Sequence, residues 1–460
     1  MRSMNLDFPP EFFKPPAKRP ENWPDHPHVR ACVDWLKSFL VPSDWNRRRE
    51  NAAHRLYAAA MGNPSDPNGR FFDETDMAAW YLFQAEAYVD HIWNYEPMFG
   101  SRVVPVFAAI GKEIEAISNV PGVDQRVKRL LTSERAQPNA GLFELLVAKA
   151  YIAEGAEVKF VPEAPGRKKT HDLDALIDGQ NYAVECKRME TSEQGERERQ
   201  WSTRLWLPAA DELIRADASA LCDITFIVSL DKVPTTYLRD KVALWANGRY
   251  QAIEWEDEFA VGAVKPIDLT PLREVLENDT VLASSTRLHE LLTGTYKRHD
   301  NIKQFIRYKA SEWNPRWLSE CDFAAIFRYQ CIAQESIDAK ARDVLKKLAD
   351  GNEQLPDDRP GLIHVGFESV DGDEVERRRH ERIVQSASDF DPKGKDLRWA
   401  FCHYFVPECP PDNSWAFDET VQWCGIRNHN NRLPLENLFL IVPPEVDTDF
   451  RFGGHWDRET

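Results

Sequence analysis

The sequence predicts an α/β protein built on a mixed sheet flanked by helices, with an all-α domain before it and a C-terminal α/β region after it. Three observations predict this. Apolar residues recur at helical spacing through residues 28–135, residues 136–235 switch between helical and strand periodicity, and residues 337–460 alternate helix-like and strand-like stretches again. Residues 236–336 mix short strands and helices without a recognisable module, as an insertion or linker would.

Prolines at positions 9, 10, 15, 16, 20, 24 and 27 fix φ and remove amide donors too often for a helix or central strand, so residues 1–27 are expected to form an extended arm. Helices are predicted over 29–40, 45–61, 77–93 and 103–117, with 63–69, which holds Pro64, Pro67 and Gly69, as a loop. Trp35, Trp45, Trp80 and Trp93 recur at helical spacing and are assigned to a core rather than to base stacking. Asp90-His91 has no nucleophile beside it and is read as structural.

The most informative stretch is 171–188. Asp178-Gly179 between two short apolar runs signals a two-residue hairpin turn. If these residues form the turn, Ile177 faces Gln180, and counting outward sets Asp172 opposite Glu185. Alternation along the strand places Glu185 and Lys187 on one face, with Val184 and Cys186 on the other. Two carboxylates and an ammonium then converge. A four-residue turn would pair Asp174 with Glu185 instead. Two carboxylates suit a hard divalent ion that keeps waters for a phosphate, and Lys187 adds a compact positive charge.

Asp172, Glu185 and Lys187 resemble the signature of the PD-(D/E)xK, or restriction-endonuclease-like, nucleases. Residues 141–151 have helical spacing and 157–161 read as a strand, so helix, strand, strand, strand occur in the order that opens that family's core. The resemblance covers about residues 136–232. It implies a restriction-endonuclease-like core that hydrolyses phosphodiester bonds. Mg2+ or Mn2+ would be held by Asp172, Glu185, the Cys186 carbonyl and Glu144, the acidic residue of the first helix, with Lys187 in catalysis. Spacing like that of compact family members favours Asp172 over Asp174. His171 replaces the signature proline, and Glu157-Val158-Lys159 is a second Glu-x-Lys with no aspartate to partner it. Large members with unfamiliar flanks resemble bacterial restriction or antiphage effectors. A second reading keeps the fold without the chemistry, as a silent scaffold that binds nucleic acid or a protein.

The implied partner is nucleic acid, DNA ahead of RNA. A net charge of −17 opposes a DNA-coating protein, so positive charge must be gathered locally. Lys159, Arg167, Lys168, Lys169, Lys187 and Arg188 would line the cleft. The charged stretch 191–216 adds Arg197, Arg199, Arg204 and Arg215, interleaved with Glu193, Glu196 and Glu198. Lys168, Lys169, Arg188 and Arg204 are the candidate phosphate contacts.

Further along, 222–228 is expected as the fourth strand of the core, 235–245 as a helix and 254–258 as an acidic loop. His289-Glu290-Leu291-Leu292-Thr293 lacks the second histidine of a zinc-protease motif. Helices over 337–348 and 374–384 and strands over 362–367, 397–406 and 438–442 either extend the core sheet or form a separate domain. Arg377, Arg378, Arg379 and Arg382 form a basic patch that reads as a solvated helix face or a nucleic-acid contact.

Hydrophobic content of 42% and charged content of 29% are ordinary for a globular protein. No apolar run reaches membrane-span length and the N-terminus is unlike a signal peptide, so a cytoplasmic location is expected. Eight cysteines without a Cys-x-x-Cys are expected as reduced thiols, including Cys402, Cys409 and Cys424, which with His429 would be spaced irregularly for zinc. Motifs for phosphate-loop NTPases, dinucleotide enzymes and serine hydrolases are lacking. A homo-oligomer or a regulatory protein partner fits the long flanks.

Overall fold

The structure is a computed structural model that describes residues 8–16, 26–62, 70–162, 170–190, 192–298, 300–412, 415–428, 432–442 and 453–457. The chain forms two mixed sheets flanked by helices, and the second sheet is inserted into the first. The strands β1 (Glu157–Phe160), β2 (Leu173–Ile177) and β3 (Gln180–Arg188) are antiparallel neighbours in sequence order. The chain then builds a second sheet from β4 (Ala220–Phe226), β5 (Ile253–Glu256), β6 (Ala260–Pro266), β7 (Val281–Leu282), β8 (Asn301–Ala310) and β9 (Trp317–Cys331). It returns with β10 (Gly361–Glu368), β11 (Leu397–Glu408) and β12 (Ala416–Gly425), completing the order β1-β2-β3-β10-β11-β12.

In that first sheet β10 runs parallel to both β3 and β11, and β12 closes it antiparallel. The sequence of β10 explains its central place: Leu362, Ile363, His364 and Val365 are all buried, the near-continuous apolar run of a strand covered on both faces. The expectation that 222–228 supplies the core's fourth strand is therefore corrected. Ala220–Phe226 lies in the second sheet, between β6 and β9, and the strand beside β3 comes from beyond residue 360. The chain leaves the first sheet after Arg188, well before residue 235, and residues beyond 337 extend that sheet rather than forming a domain apart.

One face of the first sheet shares its core with the N-terminal helices. Helices Pro27–Ser38, Pro42–Ala60, Met77–Asp90, Val104–Lys112 and Pro138–Ala153 bury Leu36, Trp80, Phe107 and Leu146 in the same cluster as Val184, Leu362 and Phe401. The hydroxyl of Tyr151, 2.9 Å from Nε2 of His364, ties the last of these helices to β10. Trp45 and Trp80 are buried as core residues, and Asp90 pairs with Arg30 at 2.7 Å. The opposite face packs Ile363 and Val365 against Leu348 and Ile383, from helices Leu345–Gln354 and Asp373–Asp389.

Several local expectations change. The arm is not wholly extended: Pro10–Phe13 makes a helical turn, Phe13 is buried, and the Phe12 carbonyl accepts from Trp93 Nε1 at 3.1 Å. Residues 254–256 lie in β5, because Trp255 covers Gly262 on the neighbouring strand. The helix expected over 337–348 is two, Gln334–Lys340 and Leu345–Gln354. Residues 438–442 form no strand; the amides of Leu440, Ile441 and Val442 bond instead to the buried Glu419 carboxylate at 2.9–3.1 Å. The loop at 63–69 and His429 lie outside the described residues. All eight cysteines are free, with Cys402 and Cys409 buried. Among the described residues, no helix is long and apolar enough to cross a membrane.

Candidate active site

The hairpin that positions the candidate site forms as its sequence dictates. Asp178 and Gly179 take φ of 46° and 79°, the two positive values a tight hairpin turn of the Asp-Gly type requires. Ile177 pairs with Gln180, and the register continues to Leu173 opposite Val184. There the ladder changes. The Asp172 amide also donates to the Val184 carbonyl, at 3.1 Å, so two residues of one strand meet one of the other. This is the pattern of a β-bulge, which re-aims a side chain.

The re-aimed side chain is the Asp172 carboxylate, whose Oδ2 accepts the backbone N–H of Cys186 at 2.7 Å. Asp172 thus sits within one peptide unit of Glu185. Burial and the Glu185 charge push its carboxyl up to about 8, against relief from the Cys186 amide and Lys187. Glu185 is 1% exposed, and its Oε1 accepts from the Lys187 ammonium. Asp174 is committed elsewhere: it lies 2.7 Å from Nε2 of the buried His171 and 3.4 Å from Arg359, and the His171 contact holds its carboxyl low. The geometry therefore brings Asp172, not Asp174, to Glu185 and Lys187.

Glu144 approaches from the helix Pro138–Ala153. Burial and the charge of Asp172 push its carboxyl up to about 8 despite Arg126. Both Glu144 oxygens are engaged by Arg126, one of them at 2.8 Å, so Glu144 is not a third open ligand as expected. Among the described residues no group of three or more His, Cys, Asp or Glu is arranged to hold a metal ion. The donors present are hard oxygens of two carboxylates, the buried Glu185 and the partly buried Asp172, and the charge of Glu185 raises the cost of ionising Asp172. That set fits a divalent cation completed by water or phosphate oxygens. The Cys186 thiol, also expected near the ion through its backbone, is raised by burial and by Asp172.

Two groups that sequence reading missed lie on the helix Leu345–Gln354. Gly351 packs directly on the site: a Cβ there would stand 3.0 Å from Ile363 Cδ1 and 3.3 Å from Glu185 Cγ. Lys347, half-buried, has its ammonium lowered by burial and by the neighbouring Lys187. No local motif marks either residue, since more than 150 positions separate them from Lys187.

The expected phosphate contacts are not gathered here. Arg188 turns to the opposite face from Lys187, where it is buried, 3.5 Å from Glu368 and stacked 5.1 Å from the Phe405 ring. Arg102 completes this cluster on Glu368. Arg204 is exposed on the helix Glu193–Ala216 of the second lobe, over Trp201 at 4.7 Å. Lys168, Lys169 and Arg167 lie outside the described residues. The patch at 377–382 is answered within the fold, by Glu374, Asp338 and Glu376. No family model, curated protein or solved structure matches this chain.

Proposed function

We propose that this chain is a divalent-cation-dependent endonuclease with a PD-(D/E)xK, restriction-endonuclease-like core, acting on phosphodiester bonds of DNA ahead of RNA. The observation that carries the reading is the Asp172 carboxylate fixed on the Cys186 amide, beside a Glu185 that touches Lys187. The helix Pro138–Ala153, three antiparallel strands and a parallel β10 beyond an inserted lobe support the same reading.

In this reading Asp172 and Glu185 hold Mg2+ or Mn2+, which supplies polarisation of the phosphate and of an attacking water. Asp172 is held in place by a backbone amide and so loses little freedom on binding a cation. Lys187 orients the attacking water and offsets charge that builds on the phosphate oxygens. Lys347 extends this positive field toward the neighbouring phosphate. The bond from the water oxygen to phosphorus forms as the bond to the leaving sugar oxygen breaks; the water releases a proton to solvent and the leaving oxygen takes one from solvent. Glu144 stays on Arg126 instead of contributing an oxygen to the cation.

A silent scaffold that binds nucleic acid or a protein is the second reading, favoured by Arg126 occupying Glu144. Conversion of supercoiled plasmid to nicked and linear forms with Mg2+ or Mn2+, compared with Lys187→Ala and Asp172→Asn, separates the two. Cleavage lost in both variants supports the enzyme. Equal cleavage by parent and variants assigns the nicking to a contaminant.

A further inference from the structure

A cleft of about 520 Å³ opens between the two lobes, away from Asp172 and Glu185. One wall is the carboxyl ends of the parallel strands β10 and β11, at Val370 and Pro407–Cys409, and another is the segment that leads into β8. The outer edge of parallel strands is where sheets of this kind accommodate ligands. The volume falls within the roughly 300–1,000 Å³ of small-molecule sites.

Cations outnumber carboxylates on the lining of this cleft, with Arg102, Arg199, Lys297 and Arg298 against Asp300 and Glu408. Its two carboxylates are answered inside the protein: Glu408 by Arg298 at 3.1 Å, and Asp300 by Arg328 at 3.6 Å. Arg298 is itself held a second time, by Asp373 at 3.2 Å. Arg102 is taken by Glu368. Lys297 is exposed and has no carboxylate within ion-pair distance among the described residues. Arg199 has only the half-exposed Glu196 of its own helix, at 2.9 Å, a pairing worth little in water. The adjoining Lys303 ammonium is lowered by burial and by Arg199, against partial relief from Glu196. In a chain of net charge −17 this local surplus stands against the whole. Met98, Ile302 and Val370 add an apolar wall, and Thr295 and Tyr296 add hydroxyls.

We propose that this cleft binds a phosphate-bearing small molecule of nucleotide size, with Arg199 and Lys297 meeting its phosphates and the apolar wall meeting the rest. The site stands whether or not the Asp172 centre cleaves nucleic acid. Its shape favours a small molecule over a polymer, because the cations line one cleft of limited volume rather than forming a track.

The test is calorimetric titration of the full chain in EDTA, so that no cation at Asp172 contributes, with ATP, pyrophosphate, adenosine and a single-stranded oligonucleotide. ATP and pyrophosphate are expected to bind and to raise the melting temperature, with adenosine at least about tenfold weaker. The double variant Arg199→Ala, Lys297→Ala alters two solvent-facing side chains and should keep the melting temperature of the free protein. It should weaken ATP by about tenfold or more. A single Arg199→Lys variant, which keeps the charge, should retain most of the binding. Absence of ATP and pyrophosphate binding up to about 1 mM, or binding undiminished in the double variant, overturns the proposal. So does an oligonucleotide that displaces ATP and binds more tightly than it does.

Discussion

The carboxylate of Asp172 accepts the backbone N–H of Cys186 at 2.7 Å, the amide that immediately follows Glu185 on the neighbouring strand. A side chain thus stands where a strand carbonyl would continue the ladder, and one acidic group is fixed against another before any ligand arrives. Satisfying a backbone donor in this way limits the rotamers of Asp172 without neutralising its charge. The behaviour of the site follows from the cost of ionising that carboxyl.

Asp172 should make the protein less stable as pH rises. In the unfolded chain it ionises near its ordinary value of 3.8, but in the fold not until about 8. Between those values the folded state holds a proton that unfolding releases, so the contribution is full below about pH 4 and is lost as pH rises through about 8. Asp172→Asn keeps an oxygen for the Cys186 amide and removes the charge. In EDTA it is expected to melt above the parent at about pH 8.5, with the gap closing toward about pH 5. Parallel melting curves of parent and variant across that range contradict the assignment.

Cation binding should show the opposite dependence. Protons and a divalent cation compete for the same oxygens, so the rise in melting temperature on adding Mn2+ should grow between about pH 6 and pH 8.5. Differential scanning fluorimetry reads this directly. The increment should vanish in Asp172→Asn, and a cation effect that persists there belongs to another site.

Gly351 should tolerate no bulk. Its missing Cβ leaves the helix Leu345–Gln354 in contact with Ile363 and Glu185. Gly351→Leu is expected to cost about 1–3 kcal/mol in urea unfolding, the usual penalty of overpacking a filled interior. Unchanged stability would mean that the helix does not lie against Glu185.

Lys347 should act on binding before chemistry. If it meets a backbone phosphate beside Lys187, Lys347→Ala should weaken DNA affinity for all sequences alike and lower the salt slope by about one. Fluorescence anisotropy at several salt concentrations, in Ca2+ or EDTA, measures it. A slope identical to the parent's removes Lys347 from the interface.

The parts of this site that were legible in the sequence are those fixed by local backbone chemistry. Asp178-Gly179 sets the turn and the turn sets the register as far as Leu173 opposite Val184. The expected direct pairing of Asp172 with Glu185 is replaced by the Asp172 amide on Val184 and its carboxylate on the Cys186 amide. The bulge at Asp172 was not legible, because no residue pattern in the hairpin marks where the ladder breaks. The parallel partner itself was misplaced: Ala220–Phe226 and Gly361–Glu368 are both short apolar runs, and pattern alone does not say which pairs with β3. Arg188 was misread for the same reason. Its place beside Lys187 in sequence suggested a shared role, whereas alternation sends it to the buried face, where Glu368 of the unforeseen partner strand receives it. Spacing favours Asp172 over Asp174, and the structure adds the reason that Asp174 is held by its neighbour His171 and by the distant Arg359. Lys347 and Gly351 reach the site across an inserted lobe, and no spacing rule connects them to it.

The most direct measurement is single-turnover cleavage of supercoiled plasmid at saturating Mn2+, with parent, Asp172→Asn and Lys187→Ala purified identically and shown to melt cooperatively. The account predicts metal-dependent cleavage by the parent and a fall on the order of a thousandfold in each variant. Folded parent protein that leaves DNA and RNA uncut with Mg2+ and with Mn2+, or variants that cut as fast as the parent, would contradict it.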